Sequence, residues 1–229
     1  MEKRQILRAL IGFAMYLLVG PALLFICAGT LRWPMAWVAV GLALLAVLIS
    51  RVLVARRNPE LIKERASYTE ANRAPAWDRP LVAISALYGP MVLYAVAGLD
   101  HRFEWPAPVP VWLQIAAALI SAAAYAVATW AMVANPFFSA NARIQEERGQ
   151  VVVSAGPYRA VRHPAYATSL LSFVALPLML DALWAWIPGL IIIAAVVIRT
   201  RREDQLLREG LAGYADYAQR TRYRLIPGI

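Results

Sequence analysis

Long apolar runs separated by short polar breaks set the pattern of this chain. Six runs stand out, at residues 9–31, 34–50, 80–99, 111–134, 164–180 and 182–198, and none holds Asp, Glu, Lys or His in its interior. A bilayer crossing needs roughly 20 mostly apolar residues, with about 17 near the lower limit, so the pattern predicts six spanning helices, the last two short. The breaks are rich in Pro, Gly and charge, which interrupt helices. Leu31-Arg32-Trp33-Pro34 joins the first two spans, and Trp33 and Trp37 are expected at interfacial depth. Pro59 to Arg65 is expected as a short surface helix with Asn58 as N-cap. Val151-Val152-Val153 reads as a short β-prone run, and Asp181-Ala182 as a tight hairpin between the short spans. Residues 199–219 read as a separate polar helix outside the membrane, because Leu206 and Leu207 recur beside Tyr214 and Tyr217 at roughly helical spacing. The expected fold class is therefore all-α: a polytopic membrane bundle of about six helices with a C-terminal cytoplasmic helix. It divides into a four-span region, 1–134, and a second region, 135–229.

Composition agrees with that class. The 229 residues are 61% hydrophobic and only 16% charged, against roughly 25% charged in soluble domains. The first run is longer than a signal-peptide core, and no small-residue cleavage site precedes a polar domain. A net charge of +9 resembles a nucleic-acid signature, but its distribution follows topology. Of the 23 basic residues, 21 fall before the first span, in 51–79, in 135–163 or from Arg199 onward. In a six-span chain these segments share one side. That is the positive-inside pattern, with both termini in the cytoplasm. No nucleic-acid-binding motif is present. One cysteine, Cys27, and two histidines do not make a disulfide or a Cys/His metal site. With no organelle signal in the sequence, a bacterial or archaeal cytoplasmic membrane is expected.

Polar chemistry has few places in such a chain. The best furnished is Gly156-Pro157-Tyr158-Arg159-Ala160-Val161-Arg162-His163-Pro164-Ala165-Tyr166, set against the start of the fifth run. Pro164 takes the first position of the next helix, whose free amides favour anionic or acceptor groups. Arg162 adds a positive charge, His163 a titratable ring, and Tyr158 and Tyr166 flat faces with hydroxyl tips. A second cluster follows the sixth run: Arg199 and Glu203, spaced i, i+4, share a helix face, as do Asp204 and Arg208. Such pairs are commonly plain surface ion pairs. Arg199, however, leaves the span at the membrane edge, where a lipid carboxylate or phosphate would arrive, and arginine suits both. Asn135-Pro136-Phe137-Phe138-Ser139 reads as a helix end.

Together these residues resemble the isoprenylcysteine carboxyl methyltransferase family, related to the phospholipid methyltransferases. The resemblance runs from about residue 135 to 229. It is carried by Val151–Val153, Gly156-Pro157-Tyr158, Arg162-His163-Pro164-Ala165-Tyr166, the acidic pair Glu203-Asp204 and Gly213-Tyr214-Ala215-Asp216-Tyr217. The family usually has two adjacent glutamates where this chain has Glu203-Asp204. The resemblance implies a membrane methyltransferase using S-adenosylmethionine. Tyr158, Val161, Arg162, His163, Tyr166 and Glu203 would hold the cofactor, Arg199 would orient the acceptor, and the C-terminal helix would close the pocket. It implies a lipophilic or prenylated acceptor with a carboxylate, drawn from the membrane, and no metal. Phospholipid-amine or thiol methylation and a nicotinamide-dependent membrane reductase are the alternatives.

Overall fold

In the computed structural model, which describes residues 17–61, 74–105 and 108–226, the apolar runs become helices packed in one bundle. These are α1 (Leu17–Ala28), α2 (Pro34–Arg57), α3 (Asp78–Phe103), α4 (Val111–Ala134), α5 (Pro164–Met179), α6 (Trp186–Gly210) and the short α7 (Tyr214–Arg220). No strand occurs among the described residues. α2, α3, α4 and α6 with the turn before it are long and apolar enough to cross a membrane, while α1 and α5 are shorter apolar helices. Residues 9–16 of the first expected span, and all but the opening turn of the expected 59–65 surface helix, lie outside the described residues.

Small residues set the packing. Gly98 lies so close to α1 that a Cβ there would meet Leu24 O at 2.4 Å, the close backbone approach that small residues allow between membrane helices. α4 lies along α5 and against α2, and α3 and α5 lie against α6, so helices from both sides of residue 134 share one core. Leu24, Trp33, Leu93, Leu180 and Ile192 are buried at its centre. Trp33 is packed against protein and not exposed on the bundle surface. It stacks on His101 at 3.9 Å, and Trp37 takes the exposed position instead.

α3 is not regular. Between Ala83 and Tyr88 it widens into a π-turn, and the Gly89 N–H reaches back five residues to Ile84 O. Pro90 explains why: it has no N–H to continue the ladder, and the wide turn absorbs the break. Gly89 is needed there, since a Cβ would meet Ile192 Cγ1 of α6 at 2.6 Å.

Two local expectations are corrected. The polar segment after Ile198 is not a separate helix but the continuation of α6 to Gly210, because nothing between them breaks a helix. The break comes at Leu211–Gly213, where Gly213 adopts φ +79° and starts α7. Val151–Val153 forms no strand; it is irregular chain that walls a cavity.

Candidate active site

α4 ends at Ala134 because Asn135 turns the chain, its side-chain Oδ1 accepting the Phe137 N–H at 2.8 Å. The loop that follows folds around buried Gln145, which donates to Phe137 O (2.7 Å) and receives the Arg148 guanidinium. Opposite it, Gly156–Arg159 makes a single 3₁₀ turn and α5 begins at Pro164. The polar end of α6 and α7 close the third side. Between them lies a cavity with about 750 Å³ of open space, part of it continuous with solvent.

The structure brings Tyr158, Arg162, His163, Tyr166 and Glu203 to this one cavity. Residues from the two sequence clusters thus meet: the Tyr166 hydroxyl donates to Glu203 Oε2 at 2.7 Å, and the His163 and Tyr166 rings lie nearly parallel, 5.8 Å apart. Two of the expected residues are not in the lining. Val161 is half-buried beside it. Arg199 sits behind Tyr166, its guanidinium carbon 5.4 Å from the ring centroid. It does not pair with Glu203 one turn on. Its Nε donates to Asp78 Oδ1 at 2.7 Å and its Nη2 to Ala140 O at 2.7 Å.

Arg162 lines the cavity from a fixed position. Its Nε donates to Asp204 Oδ1 (2.7 Å), and its Nη1 to Thr221 O (2.7 Å) and Arg222 O (2.8 Å). The backbone N–H groups of Arg162 and His163 donate to Tyr223 O and Arg224 O. The segment after α7 is thereby stitched to the start of α5. Asp204, 1% exposed, is the hub: it also takes Arg208 and Arg224, each at 3.0 Å, and the Tyr214 hydroxyl at 2.9 Å. Burial first, and the Asp204 carboxylate next, push the Tyr214 phenol well above its ordinary value, so it stays a neutral donor. The Tyr217 hydroxyl donates to Tyr158 O at 2.7 Å. The Tyr214 and Tyr217 rings pack edge to face, 5.5 Å apart. They are buried, and they also wall the cavity. Asn135, Asn141 and Gln150 line it as well; their signal was a cluster of side-chain amides in a loop otherwise read as a helix end.

A second cavity, with about 1210 Å³ of open space, part of it continuous with the surroundings, and a mainly apolar lining, lies among α1–α5. Val40, Leu44, Met91 and Phe173 face it, with Thr168, Ser169 and Ser172 along its α5 side. Ala165 belongs to the walls of both cavities.

Fold and site thus define a helical membrane protein with a polar pocket at one end of the bundle and an apolar chamber beside it. Residues 110–212, from the start of α4 to just before α7, match the model of the phospholipid methyltransferase family. No curated protein matches the chain. Asp78 and the closing segment with Tyr214, Tyr217 and Arg224 lie outside the matched residues.

Proposed function

We propose that the protein transfers a methyl group from S-adenosylmethionine to the polar head of a membrane lipid. The observation that carries this reading is the wall shared at Ala165: a polar pocket and an apolar chamber meet there, beside Tyr166 and Glu203. Transfer between a water-soluble donor and a lipophilic acceptor needs that juxtaposition. The basic residues cluster at the pocket end, which the positive-inside pattern turns toward the cytoplasm, where the donor is found.

The pocket lining fits an S-adenosyl donor. Phe137, Phe138 and Tyr158 offer flat faces for a base, and the first turn of α5 with His163 suits a carboxylate. Glu203 offers a negative group to a cationic centre, its orientation set by the Tyr166 hydroxyl. S-adenosylmethionine, when bound, supplies a methyl already activated by its sulfonium. The chain's own task is then alignment and exclusion of water, and alignment alone supplies roughly 7–11 kcal/mol in well-oriented systems. Leu207, Leu211 and Val152 supply apolar walls.

For the acceptor, Glu203 in the lining and Arg199 behind it favour a phospholipid amine, whose proton Glu203 or His163 would take. A second reading, an isoprenylcysteine-type carboxylate, is favoured by the run Arg162-His163-Pro164-Ala165-Tyr166. It would need no base. Detergent-purified protein should bind S-adenosylhomocysteine in calorimetry, with binding lost in Glu203→Ala, and should move labelled methyl from S-adenosylmethionine into phosphatidylethanolamine. Label in a prenylcysteine alone would select the second reading. A folded protein that binds no S-adenosylhomocysteine would sink both.

A further inference from the structure

Arg199 backs Tyr166 from outside the pocket lining, and what holds Arg199 lies far away in sequence. Asp78, the first residue of α3, is fully buried. Its Oδ1 accepts Arg199 Nε at 2.7 Å; its Oδ2 accepts the Ala142 N–H at 2.9 Å and Arg199 Nη2 at 3.4 Å. A carboxylate at a helix start would ordinarily serve its own first-turn amides, yet both oxygens here are turned to Arg199 and Ala142. Asp78 and Arg199 together hold residues 140–142, next to the pocket-lining Ser139 and Asn141. From Arg199 the chain of contacts runs to the face of Tyr166 and, through its hydroxyl, to Glu203.

We propose that Asp78 is a positioning residue of the active site: with Arg199 it forms a clamp that fixes Tyr166, and so Glu203, against the donor. The assignment rests on the methyltransferase reading. It makes α3, outside the matched family region, part of the catalytic apparatus. It also gives Arg199 an indirect role, acting from behind the pocket wall. A pair serving stability alone would be replaceable by apolar residues without consequence for the pocket, since swapping a buried ion pair for well-packed apolar side chains is often neutral for folding.

The test uses Asp78→Asn, Tyr166→Phe, the two combined, and Asp78→Leu with Arg199→Met, which removes both charges together and keeps the protein foldable if Asp78→Asn does not. Two measurements are made on each: hydrogen exchange without ligand, and affinity for S-adenosylhomocysteine. The clamp predicts faster exchange in 139–143 and the first turn of α5 for both Asp78 variants, with α2 unchanged. Asp78→Asn and Tyr166→Phe should each weaken S-adenosylhomocysteine on the order of tenfold, the worth of about one charge-assisted hydrogen bond. The combination should lose about tenfold again, not a hundredfold, because both act on the same Glu203. Unchanged exchange in those segments overturns the clamp whatever the affinities. Losses that multiply overturn the route through Tyr166. If the wild-type protein binds no S-adenosylhomocysteine, the methyltransferase reading falls, and exchange alone decides whether Asp78 orders the pocket wall.

Discussion

Two buried aspartates organise the polar end of the molecule in different ways. Asp204 is crowded: Arg162, Arg208, Arg224 and Tyr214 all converge on it, from the start of α5, from α6 itself, from the tail and from α7. Among the described residues, Asp78 has one cation, Arg199, and one backbone amide. The first arrangement closes a wall and is redundant on its cationic side; the second aims a side chain and has nothing in reserve. The number of partners around a buried charge thus separates a group that holds pieces together from one that sets a direction.

The largest effect should come from neutralising the crowded site. Asp204→Asn leaves Arg162 buried without its counter-charge, and breaking a buried pair in this way costs about 3–5 kcal/mol. Thermal unfolding should shift strongly, with new proteolytic cleavage between α6 and the tail; a variant as stable as wild type would show that the convergence is incidental. A smaller loss is expected where the wall turns. Gly213 has φ +79°, and a Cβ there would have only Val152 Cγ2 in reach, at 4.0 Å. Gly213→Ala should therefore cost only the left-handed backbone, about 1–2 kcal/mol, read from denaturant midpoints. A larger loss would mean that the α6–α7 turn is tighter than its contacts indicate. The smallest effect is expected for Arg208→Ala. Its side chain is 42% exposed and Asp204 keeps two other arginines, so the change should stay within about 1 kcal/mol. A larger drop would remove the redundancy that distinguishes Asp204 from Asp78.

The bundle was legible in the sequence because a bilayer crossing demands an apolar run of fixed length, and six such runs are present. The meeting of Arg162–Tyr166 with Glu203 was legible from the two polar clusters, each placed at the end of an apolar run. The extent of α6 was not, since hydropathy falls at Arg199 while helix-forming residues continue to Gly210. Arg199 itself was misjudged by proximity: Glu203 stands one turn away, but the partner is Asp78, 121 residues distant. Helical spacing reports what shares a face, and does not report what another helix brings to it. A hint existed in Asp78, a lone acidic residue beside an arginine at the mouth of an apolar run, which needs a partner if that mouth is buried. Trp33 likewise finds its partner, His101, on another helix.

The wide turn in α3 separates two demands on one helix. A π-turn amounts to one residue inserted into an α-helix, and each residue turns the helix by about 100°. The face carrying Asp78 is therefore offset from the register that seats Leu93 and Ala97 in the core. A chain shortened by one residue between Ala83 and Tyr88 could keep its seat in the bundle and still aim the carboxylate elsewhere. Length in this stretch becomes the variable that aims the Asp78 carboxylate, and a single-codon deletion there would act as a mutation of Asp78 without touching it.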